Sequence, residues 1–375
     1  MFGDPNQPLE AASASCSRGS ASSVSLSSWQ HLGQGLWVFG AHCSTGADRS
    51  TVTAVGLLTL PEVEGDLQCA LWYEGARHQL QGILSVNTDS LNITTFTCES
   101  KYPDKRPYSL AIYRGKGMLY NVNLDIRHVC SVPQGQTPIQ PPHEGERSGL
   151  GLCLLPDTLD AGDLSPRLRE NLILHSLLGV SSLRVYSASV PGSVLDTIAS
   201  LRARGVSVDL IPWTAPGAMS QAVMESLVGK DCYYHSQTRF EFYTTLRSQQ
   251  VLIPSGKSDL KESLKTFHSQ KGPNKIPVKI FCSEYPTEKK AKNVELPLSS
   301  LKSTYYNKEL SEKAEGSMIK LSDDDNTIDE PEELSIHEYR ECEMYDISEK
   351  DESAVHDDSA LRFSIELVKY YQQFL

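Results

Sequence analysis

The chain has 375 residues, of which 39% are hydrophobic, and it carries a formal net charge of -12 at pH 7. This length suits two domains with their own cores, and the acidic balance argues against nucleic acid as a partner, because phosphate binding needs a clustered basic face. No apolar run reaches the roughly 18–20 residues that a membrane-spanning helix needs, and residues 1–20 lack the apolar core of a signal peptide. We therefore expect a mainly globular chain that is either cytosolic or missing an upstream segment.

The N-terminal third has the pattern of an all-β domain. Residues 1–30 are rich in Ser and Ala, which predicts disorder. Residues 31–131 contain seven short β-type runs without helical periodicity between them, which predicts a β-sandwich. The runs cover residues 36–41, 51–60, 67–73, 79–86, 93–98, 108–113 and 121–126. Residues 132–147, rich in Pro, Gln and Gly, are predicted to be a linker.

The cysteines bear on both structure and compartment. There are nine of them, scattered and without a C-x-x-C pair, so we do not expect a zinc site. Because the number is odd, at least one is unpaired or intermolecular. Cys69 and Cys98 fall in two of the β-type runs, where they either bridge those runs or are two buried thiols. The triplet Asn92-Ile93-Thr94 is an acceptor sequence for N-glycosylation and fits a luminal chain, although such triplets also occur by chance.

The centre of the chain alternates between strands and helices. The predicted strand, helix, strand, helix and strand cover residues 149–155, 165–178, 182–186, 194–204 and 207–213. Pro166 follows a capping serine at the start of the first helix, and Gly179 and Gly205 end the two helices. The short connections predict the α/β class with a parallel, right-handed βαβαβ sheet. Ligands of such sheets bind beyond the carboxyl ends of the strands.

The last part of the chain is more polar. Further elements are predicted as a helix at 220–228, a strand at 240–244, a polar helix at 255–275, a strand at 276–282 and an amphipathic helix at 359–371. Residues 302–358 are highly charged and include acidic clusters at 323–325 and 329–333. Such a block is more often a solvated insertion than a metal site.

Four segments together resemble the family 92 glycosyltransferases, which are typified by a β-galactosyltransferase acting on fucose in glycans. The segments are LRENLILHSLLGVSSLRVY, GVSVDLIPW, DCYYHSQTRFEF and IHEYR, at residues 168–186, 205–213, 231–242 and 336–340. The resemblance covers most of residues 36–375 and is strongest over 149–242. It implies that residues 148–375 form a GT-A-like domain with a Rossmann-like sheet.

The resemblance also implies an activity and a compartment. Such enzymes transfer a hexose, here expected to be galactose, from a nucleotide sugar such as UDP-galactose to a glycan acceptor. They use a divalent metal, expected to be Mn²⁺, which stabilises the departing diphosphate as a Lewis acid. A carboxylate takes the proton from the acceptor hydroxyl, but no residue here is assigned as that base. The family's membrane anchor and its place in the Golgi or endoplasmic reticulum are expected for this chain as well.

The metal motif of the family is altered in this sequence. The family carries an acidic stretch resembling Asp-Leu-Asp-Glu-Phe-Ile-x-Pro just after the strand that follows an Asp-Cys pair. Here Thr245, Arg247 and Ser248 stand where the carboxylates are expected, although the flanks match. Because an arginine there repels a metal, we expect Mn²⁺ to bind weakly or not at all.

Two further departures leave the function open between alternatives. Ile173 replaces an acid on the first core helix, and Met224 and Glu225 replace a Gly-Gln pair. The first hypothesis is an active hexosyltransferase. The second is an inactive relative that binds a glycan or a partner enzyme, and a missing exon over residues 245–330 would also explain the lost motif.

Five residues are candidate site residues, each with a structural alternative. Tyr186 and Trp213 lie at strand ends, where they either stack on a uracil ring or pack in the core. Asp231 either faces the donor or caps a turn. Arg340 either binds the diphosphate or forms an ion pair with its acidic neighbours. His337 is either a metal ligand or an exposed histidine among acids.

Overall fold

The computed structural model describes much of the chain, in separate stretches. These are residues 29–33, 35–45, 50–59, 67–73, 79–100, 102, 107–114, 122–125, 149–156, 165–180, 182–237, 239–254, 260, 262–264, 274–283, 285, 305–313, 318–321, 334–340, 342, 354–357 and 359–372. Residues 1–28, the predicted linker and both acidic clusters lie outside the described residues, so the predictions made for them stay predictions.

The N-terminal strands form two antiparallel sheets. The strands are β1 (Gln30–Gly33), β2 (Leu36–Thr45), β3 (Ser50–Leu58), β4 (Leu67–Tyr73), β5 (Leu80–Gln81), β6 (Ile83–Thr88), β7 (Ile93–Ser100), β8 (Pro107–Arg114) and β9 (Val122–Asp125). One sheet has the order β1-β2-β3-β7-β6 and the other β5-β4-β8-β9. Val38, Phe96 and Leu110 belong to one buried core formed by strands of both sheets, which confirms the predicted β-sandwich. Trp29 is buried and Gln30 begins β1, so the predicted disorder is wrong for these two residues.

A disulfide joins the two sheets of the sandwich. Cys69 on β4 and Cys98 on β7 are bonded, so the bridge, one of the two alternatives, is confirmed. Gly82 lies directly over this bond, because a Cβ atom there would come within 2.5 Å of the Cys98 Sγ. Cys43 is disulfide-bonded as well. Further bonds join Cys153 to Cys232 and Cys282 to Cys342.

The α/β part follows the predicted order closely. Its elements are β10 (Leu150–Leu154), α1 (Ser165–Leu177), β11 (Ser182–Ser187), α2 (Gly192–Ala203), β12 (Ser207–Pro212), α3 (Gln221–Ser236) and β13 (Phe242–Leu246). The strands pair in parallel in the order β12-β11-β10-β13, which confirms the α/β class and the mostly parallel sheet. Gly179 and Gly205 both end their helices with φ 88°, a conformation that glycine adopts without steric cost.

A third sheet includes three strands from residues 302–358, the region that the charge pattern predicted to be a solvated insertion. Its strands are β14 (Gln250–Pro254), β16 (Val278–Cys282), β17 (Tyr305–Asn307), β19 (Leu334–Arg340) and β20 (Ala354–His356), in the order β14-β19-β16-β17-β20. Two short strands, β15 (Asn274–Lys275) and β18 (Met318–Leu321), extend the parallel sheet instead. Residues 334–339 of β19 are all buried despite their polar composition. The insertion prediction is therefore wrong for β19, where Gln250 of β14 donates to the buried Glu338. Strand β16 lies within residues 276–282, which confirms the strand predicted there.

The helices differ from expectation mainly in where they end. Helix α3 continues eight residues past the predicted end at 228 and so contains Asp231. Two more helices are α4 (Lys308–Lys313) and α5 (Ser364–Gln372), and a 3-10 turn (Ser359–Phe363) precedes α5. Within the predicted polar helix, the structure describes helical residues at 260 and 262–264 and a strand at 274–275. None of the described helices is long and apolar enough to cross a membrane.

Candidate functional site

The carboxyl ends of the parallel strands lie along one edge of the sheet. Backbone hydrogen bonds continue past the strand ends: Trp213 N donates to Ser187 O at 2.9 Å, and Leu155 N donates to Leu246 O at 2.8 Å. Arg247 follows β13 directly at this edge. Since ligands of parallel sheets bind beyond these ends, a ligand bound here would meet Arg247.

Tyr186 and Trp213 lie at the junction between the parallel sheet and the N-terminal sandwich. Both side chains are buried. Phe39 of β2 packs against both rings, with ring centroids 6.1 Å from Tyr186 and 4.9 Å from Trp213, and Trp29 lies 5.6 Å from Trp213. The structure therefore shows the core-packing alternative for both rings. A role in stacking on a donor base stays a prediction, and it would require this junction to open.

Asp231 is the centre of a buried polar group at the same junction. Its carboxylate accepts hydrogen bonds from Tyr186 Oη at 2.5 Å, from Arg184 Nη2 at 3.1 Å and from His42 Nε2 at 2.7 Å. Arg184 Nη1 also donates to His235 Nδ1 at 3.0 Å. We call His42, Arg184, Tyr186, Asp231 and His235 the junction cluster. The turn-capping alternative for Asp231 is wrong, because the residue lies inside α3 and its oxygens bind side chains.

Burial and charge pairing fix the protonation of the junction cluster. Burial raises the pKa of Tyr186 well above its usual value, and burial together with the charge of Arg184 lowers the pKa of His235. Burial alone would lower the pKa of Arg184, but its neighbours Tyr186 and Asp231 outweigh that effect and raise it. Arg184 therefore stays charged beside an anionic Asp231. The cluster contains a buried, hydrogen-bonded ion pair, which suits a structural role.

Sequence reasoning missed Arg184 and His42. Arg184 stands in the apolar run of β11, and a charge at such a position needs a buried partner. That signal was present in the sequence, but its partner Asp231 lies 47 residues away. His42 lies 189 residues from Asp231 and carried no signal of its own.

Arg247 and Glu225, two of the departures from the family pattern, contact each other. Arg247 Nη2 and Nε donate to Glu225 Oε1 at 2.7 and 3.0 Å. Gln221 Nε2 donates to the same oxygen at 2.7 Å. The side chains of Arg247 and Glu225 are 36% and 32% exposed. A partly exposed ion pair thus joins the altered motif to α3.

A hydrogen-bonded chain connects the backbone of Arg247 to the side chain of Arg340. The backbone N of Arg247 donates to Gln250 Oε1 at 3.0 Å, and Gln250 Nε2 donates to Glu338 Oε2 at 2.7 Å. Arg340 Nη1 donates to Glu338 Oε1 at 3.1 Å. We call Glu225, Arg247, Gln250, Glu338 and Arg340 the edge cluster. The ion-pair alternative for Arg340 is what the structure shows, and its binding to a diphosphate stays a prediction.

The turn that carries Arg247 is held from below by α1. Asn171 Nδ2 donates to the carbonyl oxygens of Ser248 and Gln250 at 3.1 and 2.6 Å. His175 Nε2 accepts from Leu252 N at 3.1 Å, so its Nδ1 carries the proton and donates to Asn171 Oδ1 at 2.7 Å. Burial lowers the pKa of His175 to about 4, which keeps the ring neutral near pH 7. The backbone from Ser248 to Leu252 is therefore held in position by α1 without any ligand.

His337 lies away from this edge, in the interior of the third sheet. Its ring is buried against Phe281, with centroids 4.5 Å apart, and its Nδ1 lies 3.3 Å from Tyr339 Oη. Asp357 Oδ2 is 3.8 Å from its Nε2. Burial lowers the pKa of His337 to about 3. The exposed-histidine alternative is wrong, and the metal-ligand role stays a prediction.

The residues at the altered motif do not fit the divalent metal that the resemblance implies. Thr245 and Ser248 bring no carboxylate, and the guanidinium of Arg247 brings a positive charge. Glu225, the acidic side chain in contact with Arg247, is already paired. Among the described residues, no group of three or more His, Cys, Asp or Glu side chains is placed to hold a metal ion.

No family model and no curated protein matches the chain. Among solved structures, it is similar to one described as a glucose-1-phosphate thymidylyltransferase from Bacillus anthracis in complex with a sucrose, with 13% identity, a TM-score of 0.26 and coverage of 46% of this chain and 72% of that chain. It is also similar to ferredoxin-NADP+ reductase from Plasmodium falciparum, with 7% identity, a TM-score of 0.14 and coverage of 53% and 77%. TM-scores this low carry no argument about this chain.

Proposed function

We propose that this chain is a nucleotide-sugar-dependent hexosyltransferase related to the family 92 glycosyltransferases. It transfers a hexose, galactose by resemblance, from a nucleotide sugar such as UDP-galactose to a glycan acceptor. The observation that carries the proposal is the position of Arg247, held by a fixed turn at the carboxyl edge of the parallel sheet. Ligands of parallel sheets bind at this edge, and a guanidinium suits the charge of a diphosphate.

The proposed chemistry places positive charge where the diphosphate leaves. Breaking the sugar–phosphate bond builds negative charge on the diphosphate, and preorganised cations lower the barrier to that step. Arg247 and Arg340 are the cations of the edge cluster. The base that deprotonates the acceptor remains unassigned. The resemblance in the four motifs supports the reaction class, and the edge cluster supports the place.

A second function is favoured by the contact between Arg247 and Glu225. Their ion pair neutralises the charge that a donor diphosphate would need, and the carboxylates of the family motif are missing. An inactive relative that binds a glycan or a partner enzyme would retain the fold and such a pair. This alternative predicts binding without turnover.

The test is an assay of donor breakdown. The full chain is incubated with UDP- and GDP-hexoses, with and without fucosylated or galactosylated oligosaccharides, in EDTA and in Mn²⁺. Release of nucleoside diphosphate together with an extended acceptor is the expected result. Donor or glycan binding without turnover supports the inactive relative instead, and failure to bind any donor contradicts both the donor site and the transferase.

We also propose that the protein folds in the secretory lumen, at the Golgi or endoplasmic reticulum. The disulfides support this, since such bonds persist in oxidising compartments. Asn92 is exposed in the turn between β6 and β7, where Asp89 Oδ1 accepts from the backbone N of Leu91 and Ile93 at 2.9 Å each. That exposed turn leaves room for a glycan.

Glycosylation of Asn92 is the readout for this location. In a eukaryotic host that exports the chain, endoglycosidase treatment should lower its mass by one N-glycan. Thr94 is buried, so the matched pair is Thr94→Val, which removes the acceptor sequence, and Thr94→Ser, which keeps it. The glycan should disappear in the first variant and remain in the second. An unglycosylated chain in its native host cell, with its cysteines reduced, contradicts the luminal proposal.

A further inference from the structure

We propose that Arg247 and Arg340 bind the diphosphate of the nucleotide in place of a divalent cation, with Glu225 as a counter-ion that the diphosphate displaces. The inference rests on the proposed function and names the chemistry of the same edge. It assigns a metal-free diphosphate site to the edge cluster.

The arginines have the exposure that a ligand-binding cation needs. Arg247 is 36% exposed and Arg340 is 40% exposed, whereas Glu338, the partner of Arg340, is only 5% exposed. A guanidinium offers five N–H donors and pairs with phosphate oxygens in a bidentate manner. Arg247 donates hydrogen bonds from Nε and Nη2 to Glu225 Oε1, and its Nη1 bonds no other described residue. Each arginine therefore keeps donors for a ligand.

The two glutamates are held in different ways. Glu338 is nearly buried and accepts from Gln250, so its position is fixed within the sheet. Glu225 lies on the exposed side of α3, and apart from Arg247 it bonds Gln221 on its own helix. An exposed ion pair is weak because water and salt screen it, so a diphosphate can displace the carboxylate. Glu225 is thus the group that competes with the nucleotide for Arg247.

This arrangement reverses the usual effect of removing an acidic residue. In a metal site, loss of a nearby carboxylate weakens binding of the diphosphate, because the metal is lost with it. In the site proposed here, loss of the Glu225 charge strengthens binding, because Arg247 no longer has a competing anion. Whether diphosphate affinity falls or rises when the carboxylate is removed therefore distinguishes a metal site from the site proposed here.

The experiment measures UDP binding by calorimetry to the full chain in EDTA. We expect Glu225→Gln to lower the Kd about threefold or more, and Arg247→Gln to raise it by roughly tenfold, the size expected for a lost charge-assisted pair. Arg340→Gln should raise the Kd as well, and Arg247→Lys should fall between Arg247→Gln and the unchanged chain. Binding of uridine should be the same in all variants.

The matched control is Lys230→Gln. Lys230 lies on the same helix as Glu225 and pairs with Asp89 at 2.9 Å, with both side chains 31% exposed. The variant removes one positive charge and one exposed ion pair outside the edge cluster, so UDP binding should not change. Thermal unfolding of each variant shows that it is folded.

Several outcomes would overturn the inference while leaving the transferase in place. One is UDP binding that requires Mn²⁺. Others are equal UDP binding by the unchanged chain and Arg247→Gln, or weaker binding by Glu225→Gln. If neither UDP nor UDP-hexoses bind in either EDTA or Mn²⁺, the proposed function itself fails and the inference fails with it.

Discussion

The junction cluster and the edge cluster use the same helix and the same chemistry at different depths. Helix α3 supplies Asp231 to one and Glu225 to the other, and each carboxylate pairs with an arginine. Asp231 and Arg184 are 0% and 2% exposed, whereas the pair at the edge is about one-third exposed. At the junction the protein encloses both charged side chains. At the edge, water reaches both partners and another anion can replace the carboxylate.

This difference shows that burial decides whether an ion pair can lose one partner at little cost. A buried pair that loses one member leaves an uncompensated charge in a medium of low polarity, which is strongly unfavourable. An exposed pair that loses one member leaves a hydrated charge. We therefore expect the junction cluster to serve stability and propose that the edge cluster serves binding, although the sequence placed candidate donor residues in both.

The largest expected loss of stability follows from replacing Asp231. Asp231→Ala leaves Arg184 charged and buried without its partner, and we expect it to lower the free energy of unfolding by about 3–5 kcal/mol. Equilibrium unfolding in urea measures this, with Glu225→Ala as the matched change on the same helix. A similar loss in both variants would contradict the distinction between the clusters.

A smaller effect is expected from His175, which holds the turn of the edge cluster. Burial lowers the pKa of His175 from its usual 6.5 to about 4. Between these values the unfolded chain binds the proton first, so stability is full above pH 6.5, falls as the pH drops and levels off below about 4. The shift corresponds to roughly 3 kcal/mol.

The contribution of His175 is measured by comparing the unchanged chain with His175→Gln across pH 4–7. The glutamine variant is less stable at pH 7, but it should lose less stability on acidification. Because His337 also titrates from a buried position, only the difference between the two chains is informative. Parallel pH curves would contradict the assignment.

The smallest expected effect is the coupling within the edge pair. A double-mutant cycle of Arg247→Gln and Glu225→Gln, followed by thermal unfolding, should give a coupling of about 0.2–1 kcal/mol, since both side chains are partly exposed. High salt should reduce it further. A coupling of several kcal/mol would instead show that the pair stabilises the fold, as the junction cluster is expected to do.

Much of the fold could be predicted because local rules set it. The βαβαβ order followed from apolar runs, a capping serine and two terminating glycines, and all of these are local signals. Strand β19 could not be predicted in the same way. Its Glu338 is buried with a hydrogen bond from Gln250 of β14, a residue 88 positions away along the chain. Helix α3 was underestimated for the same reason, since Asp231 is satisfied by tertiary partners.

The site could be predicted only in part. The resemblance drew attention to Arg247 and Glu225 separately, but their contact joins residues 22 positions apart and needed the structure. Tyr186 and Trp213 are at the strand ends as expected, yet Phe39 from the sandwich covers them. No periodicity in the sequence reports which rings a distant strand will cover.

The bond from His42 to Asp231 has a consequence for how the protein is made and how it is divided. The ribosome delivers His42 long before Asp231, so the sandwich is able to form first and to offer a finished surface to the emerging helix α3. A fragment that starts at residue 148 would lack that surface. The rings of Tyr186 and Trp213, which Phe39 covers in the full chain, would then be exposed to water. Side chains of the second half of the chain therefore become buried only by packing against the sandwich.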